Sequence, residues 1–388
     1  MSTVNDGIVL AELLPIKQGA KLGILTLNKP KSLNALDLQM VESLLAKLKE
    51  WEADSSVKAV ILKGAGEKAF CAGGDVVSMY KSMVEERRKQ AIEPTTDLAR
   101  APAFLQDFFT REYELDFYLA NYPKALICWG NGIVMGGGLG LFAASAFSVV
   151  TESSRIAMPE ITIGLFPDVG GSYFLNRMPA GLGLFLGVTG ASFNAIDAKE
   201  LRLASHAIDA DLFSSLIEGL SSLENISHDA VRKQLELLEA KSKVVNKLSA
   251  KLVSLSKDLA TLDTCTNSQE LTSVIHGLVE KHPGNTWLQK ASATLDRGSP
   301  ITVRLVIEQL IRAKSMSLAE AFQQELSMAL SCSLYGEFQE GVRALLIDKD
   351  QSPRWRYSSA EHVPDSLIEA HFNYFNDENN PLSHLSTR

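Results

Sequence analysis

In the first half of the chain, short β-branched or apolar runs alternate with helical periodicity, and that alternation leaves few folds open. Leu22 to Leu27, Val57 to Leu62, Ala125 to Trp129 and Phe147 to Thr151 read as strands. Between the first two, Met40, Leu44, Leu45 and Leu48 share one helical face, so strand, helix and strand follow one another. The expected class is α/β. From Asp209 onward strand signals cease. Val231, Leu235 and Leu238, then Val245, Leu248, Leu252, Leu255 and Leu259, recur at helical spacing with Lys, Glu and Ser on the other faces. This stripe reads as core packing of a helical layer rather than a coiled-coil seam. A boundary is placed near residue 208, separating an α/β core (1–208) from a mainly helical region (209–388). The charged, unpatterned stretch from Ser82 to Pro102 reads as a surface excursion or lid.

At 388 residues the chain can bury a large core without disulfides or metals. With 38 basic and 46 acidic residues its net charge is −8, which argues against general affinity for nucleic acid or anionic lipid. Any anionic ligand must be held locally. Cys71, Cys128, Cys265 and Cys332 are widely separated and form no CxxC pair, so reduced thiols are expected. No apolar run reaches the length of a membrane span, and no arginine precedes Arg87, poor material for a targeting peptide. A cytoplasmic protein is expected, with a mitochondrial matrix origin after loss of a presequence left open.

Several common signatures fail. A GxGxxG loop starting at Gly136 needs glycine where Leu141 stands, and no GK[ST] follows. Gly170-Gly171-Ser172-Tyr173-Phe174 misses the GxSxG nucleophile elbow at its last position. The seven histidines show no metal-ligand spacing. No metal, no bound cofactor and no serine triad are expected.

Two glycine-rich turns remain, each expected after a strand: Phe70-Cys71-Ala72-Gly73-Gly74-Asp75 and Gly132 to Gly138. Glycine there lets backbone N–H groups approach a ligand, and the second turn is expected to open a helix whose N-terminus favours negative charge. Two converging donors would form an oxyanion hole; tight helix packing is the other reading. A third element runs from Met158-Pro159-Glu160 to Phe166-Pro167-Asp168-Val169-Gly170-Gly171. A carboxylate among Ile161, Ile163, Leu165 and Phe166 is desolvated, which raises its pKa towards the range of a general base or nucleophile. Glu160 as a helix-end residue or salt-bridge partner is the alternative. Cys71 reads as structural, since no motif histidine accompanies it.

In this order, the two glycine turns and the Pro159 to Gly171 block resemble the crotonase (enoyl-CoA hydratase/isomerase) superfamily over roughly residues 8–208. The resemblance implies a spiral of ββα units that binds an acyl-CoA substrate and holds its thioester oxyanion with the amides of Gly74 and Gly137. Hydratases of the family carry two glutamates. Here the first falls on Gly140 and is missing, while the second matches Glu160. Asp168, and the block from Phe338 through Arg343 to Asp350, instead resemble the 3-hydroxyisobutyryl-CoA hydrolase branch. That implies hydrolysis of a short β-hydroxyacyl-CoA in valine breakdown, with Glu160 and Asp168 catalytic and the helical region covering the site. The same resemblance gives Glu112 a polar contact to the acyl end and likens Asn28 to Ala35 to the family's adenine-side loop, with Lys29, Lys31 and Leu33 as CoA contacts. A solvated Glu112 paired with Arg111, and solvated turn lysines, are the competing readings. Family members form trimers or dimers of trimers.

Overall fold

The computed structural model describes residues 7–92, 100–265, 267–335, 337–375 and 379–386. Among them, nine strands form two sheets. The larger contains β1 (Val9–Pro15), β2 (Lys21–Leu27), β3 (Val57–Gly64), β5 (Ala125–Gly130), β7 (Phe147–Val150) and β9 (His206–Ala207), adjacent in that order. The smaller contains β4 (Ala69–Cys71), β6 (Ile133–Met135) and β8 (Arg155–Ala157). Only β1 runs antiparallel to its neighbour β2; every other pairing is parallel. Each of the pairs β3–β4, β5–β6 and β7–β8 puts its first strand in the larger sheet and its second in the smaller. This is the expected spiral of repeated two-strand units.

β2, β3, β5 and β7 are parallel to one another, and parallel strands buried on both faces read as continuous apolar runs. Every residue of β5 and β7 is buried. β4, β6 and β8 span three residues each and carry no period. The glycine turns therefore do not leave β3 and β5 directly, as the sequence suggests: β4 and β6 intervene.

By contact density the chain divides into two units. The first gathers residues 1–74, 115–157 and 192–254; the second gathers 75–114, 158–191 and 255–388. The composition change near 208 marks the last strand, β9, and the units interleave across it.

In the first unit, Leu22, Ile24, Ile61, Ile127, Trp129 and Val149 from the larger sheet pack in one core with Leu216, Leu220, Val231, Leu235 and Leu238. The last five come from the helices Phe213–Ser222 and His228–Glu239, so the first half of the leucine stripe is core, as expected. The second half is not one helix. It breaks into Val244–Lys247, a 3-10 turn at Val253–Leu255 and Ser256–Leu259; Leu252, Leu255 and Leu259 are buried as expected, but Val245 is 62% exposed. Part of the reason lies at Asp197, whose carboxylate accepts the amides of Lys251, Leu252 and Val253 and satisfies them outside any helix.

The second unit is mainly helical. Ser82 to Ile92 is not unpatterned: it is the second part of the helix Val76–Ile92, which buries Met79 and Met83. The helix Ala103–Ala120 begins just past Pro102, and residues 93–99 of the proposed lid lie outside the described residues. The Phe338 to Asp350 block folds around Arg343, whose guanidinium bonds Glu340, Asp348 and Asp350 at 2.6–2.9 Å. Among the described residues, no helix is long and apolar enough to cross a membrane. The four cysteines are free, and Cys71, Cys128 and Cys332 are buried.

Candidate active site

The first unit holds the glycine turns. β4 and β6 pair in parallel, Ala69 opposite Ile133, so the turns leaving them run side by side. Gly73 (φ 110°) and Gly136 (φ 49°) both lie in the left-handed region, where a side chain would be strained. A Cβ on Gly73 would sit 3.8 Å from the Gly137 nitrogen, which shows how closely the turns approach. Gly138 is needed for packing instead, since a Cβ there would come within 2.4 Å of the Cys71 carbonyl oxygen. Gly137 opens the helix Gly137–Ala144, where the first N–H groups have no partner within the helix. Among the described residues, neither the Gly74 nor the Gly137 amide donates a hydrogen bond to a protein acceptor. Packing and ligand approach thus fall on different glycines of the same turns.

The loop from Asn28 to Ala35 belongs to the same unit. Leu33 and Asn34 both adopt left-handed backbone, and Asn34 ties the loop by accepting the Lys29 amide and donating to the carbonyls of Ala65 and Ala69. Lys29 is already engaged: its ammonium lies 2.8 Å from Asp37, the residue capping the helix Leu38–Ala53. Lys31 is exposed and Leu33 half-buried.

The second unit holds the acids. Glu160 opens a 3-10 turn, Glu160–Ile163, after Pro159, and only 5% of it is exposed. Its Oε2 atom is buried and accepts no hydrogen bond. Burial pushes the Glu160 carboxyl well above the usual carboxylate range, and the charges of Asp168 and Glu112 push the same way. Asp168 is equally buried and accepts a 2.8 Å hydrogen bond from the Tyr113 hydroxyl. Burial raises it to about 6, while the bond from Tyr113 favours its charged form and restrains the rise. Glu112 is not a solvated helix residue. Arg111 pairs with Glu114, whereas Glu112 is 2% exposed, with Oε1 buried and unbonded. Burial and the Asp168 charge hold it, too, well above its ordinary value.

Three acids thus share one electrostatic neighbourhood: burial raises all three carboxyls, and the Asp168 charge raises Glu112 and Glu160 further. Desolvated carboxyls that retain protons near neutrality are suited to exchanging protons with a substrate or water. Sequence reasoning missed two members of this arrangement. Tyr113 follows Glu112 directly in the helix Ala103–Ala120, and Glu325 lies on the helix Leu318–Tyr335 with no exposure. Glu325 did leave a signal: it stands three residues after Phe322 and four before Ala329, an acid on an otherwise apolar helical face.

A model of the enoyl-CoA hydratase/isomerase family matches residues 22–372. The mitochondrial 3-hydroxyisobutyryl-CoA hydrolase of Danio rerio is 37% identical over 363 residues, covering 93% of this chain and 89% of that protein. The Homo sapiens protein of that name is 35% identical, covering 93% and 88%. Among solved structures, a carnitinyl-CoA dehydratase from Mycobacterium thermoresistibile matches with a TM-score of 0.79 at 30% identity, over 95% of this chain and 96% of its own. An enoyl-CoA hydratase from Rhodobacter sphaeroides 2.4.1 matches at 0.78 and 29% identity, over 95% and 97%.

Proposed function

The chain belongs to the enoyl-CoA hydratase/isomerase family, and on that footing we propose that it hydrolyses 3-hydroxyisobutyryl-CoA, or a related short β-hydroxyacyl-CoA, to the free acid and CoA. The observation that carries this reading is a buried Glu160, its Oε2 accepting no hydrogen bond, in the field of Asp168, while Gly140 stands where the resemblance puts a hydratase's other glutamate. Adding water to a double bond needs one group for the water and another for the α-proton, whereas thioester hydrolysis needs only one activated oxygen nucleophile and a stabilised oxyanion.

In the proposed reaction the amides of Gly74 and Gly137 donate to the thioester oxygen as it becomes negative. Glu160 in its charged form either takes a proton from the attacking water or attacks the carbonyl itself. On either route the tetrahedral intermediate collapses with cleavage of the C–S bond and loss of CoA as thiolate, the second route leaving a mixed anhydride that water opens to the free acid and the regenerated carboxylate. A single turnover in 18O-labelled water separates the routes, because water attacking the glutamyl side of that anhydride leaves 18O in the enzyme. Asp168, with Tyr113 donating to it, orients the water. Glu112 takes the substrate's hydroxyl, and Lys31 and Leu33 meet CoA, with Lys29 joining only by leaving Asp37. Reduced, mostly buried thiols suit a cytosolic protein, while the relatives named above are mitochondrial. The proposal extends to a trimer or a dimer of trimers, which sedimentation would count.

The test is a panel of acyl-CoA thioesters followed with a thiol reagent. Thiol release from 3-hydroxyisobutyryl-CoA, faster than from acetyl-CoA or longer chains, is expected. A second reading, hydration of an enoyl-CoA with Glu112 as the second acid, is favoured by the burial of that residue, whose Oε1 accepts no hydrogen bond, and by the names of the two solved structures. Conversion of crotonyl-CoA with no thiol release would select it.

Glu160 and Asp168 both act in their charged forms, so kcat should rise with pH as the two raised carboxyls lose their protons, Asp168 through about 6. Tyr113→Phe removes the bond that favours the carboxylate, and the acidic limb of the kcat profile should move to higher pH. An unmoved limb would remove Asp168 as the group that sets it.

A further inference from the structure

The turn that carries Asp168 is one the backbone does not adopt readily. Val169 (φ 51°) and Gly170 (φ 86°) are both left-handed, and a β-branched residue persists in that region only where its surroundings enforce it. The chain then enters the short helix Gly171–Leu175. Glu325, fully buried on the helix Leu318–Tyr335, spans this turn: Oε2 accepts the Gly170 amide and Oε1 the Ser172 amide, both at 2.8 Å. Gln309 ties the same turn by donating to the Pro167 carbonyl at 2.7 Å and to the Ser172 hydroxyl at 2.8 Å. Phe322, one helical turn before Glu325, closes the space over Gly170, where a Cβ would lie 3.4 Å from its ring.

We propose that Glu325 is a positioning residue: by clamping the two amides that follow the strained turn, it fixes where the Asp168 carboxylate points, while Tyr113 holds that carboxylate from the side. The assignment rests on the reading of Asp168 as the water-orienting acid. A plain packing side chain would hold the helices together equally well; what the carboxyl group adds is two oxygens at the spacing of the two amides. Glutamine keeps the size of the side chain but turns an NH2 group towards one of them.

Glu325→Gln is therefore expected to lower kcat for thioester hydrolysis about 10- to 100-fold with KM within about twofold of the parent. Added to Asp168→Asn, it should change kcat by less than about threefold, because groups that act as a unit are not additive. Hydrogen exchange followed by mass spectrometry should show residues 168–175 protected in the parent and faster-exchanging in Glu325→Gln, with the other helices unchanged. Glu325→Asp, which keeps the carboxyl group but is one methylene shorter and reaches only one amide, should behave like Glu325→Gln. Parental kcat in Glu325→Gln, full additivity with Asp168→Asn, or fast exchange of residues 168–175 already in the parent would each overturn the assignment. If the parent releases no thiol from any acyl-CoA, the proposed reaction fails instead, and the exchange data alone decide whether the clamp exists.

Discussion

Replacing Glu160 by glutamine should lower thioester hydrolysis about 10³-fold, with little change in KM for the acyl-CoA. The side chain keeps its size, but the amide can neither take a proton from water nor attack the carbonyl. The same substitution should leave the protein more stable at pH 7. The folded protein holds the raised carboxyl protons of Glu160 and Asp168 at a pH where the unfolded chain has released them. Proton binding therefore favours the folded state below the ordinary carboxylate pKa, and that contribution is lost as pH rises through the raised values. For Asp168 the step from 3.8 to about 6 corresponds to roughly 3 kcal/mol lost across that window. Glu160→Gln and Asp168→Asn, neutral at every pH, should each raise the melting temperature at pH 7 and bring little gain at pH 4. Thermal denaturation at the two pH values, beside thiol release, checks both halves. Undiminished hydrolysis by Glu160→Gln would leave the mechanism without its reacting group.

Proline at Gly137 should cost about 10²- to 10³-fold in kcat, the usual loss of one oxyanion donor. Gly137 is the first residue of its helix, the position at which proline is best tolerated and where no intrahelical bond is lost. The substitution removes the free amide and leaves the helix able to form. Circular dichroism should match the parent, and the rate should fall most for the thioester whose oxygen the amide holds. A folded Gly137→Pro protein with parental kcat would show that this amide faces no developing charge.

Much of the architecture was legible because its long strands are buried on both faces, so their apolar runs needed no partner to be recognised. The residue types of the site were legible for a similar reason: consecutive glycines and a carboxylate among isoleucines and prolines are unusual in any local context. The run from Val245 to Leu259 misled because periodicity reports which residues prefer burial, and Asp197 redirected three backbone amides in its midst. The charged face of Val76–Ile92 misled in the opposite sense, hiding Met79 and Met83 on its buried side. Glu112 and Lys29 show what no spacing could decide. One lost the arginine beside it to Glu114 and became a buried acid; the other, free to meet phosphate in the sequence, is held by Asp37. The amino-acid order alone marked the long strands, the two glycine turns and a desolvated Glu160, because backbone conformation and desolvation are written in local composition, while the strand repeat and the roles of Asp168 and Glu112 were implied by the family resemblance. Only the tertiary structure decided which acids share a field, that Tyr113 bonds Asp168 and that Glu325, 157 residues along the chain, grips its turn. Charge interaction and hydrogen bonding act over a few ångströms of space, and residues that distant in sequence come within that range only once the chain has folded.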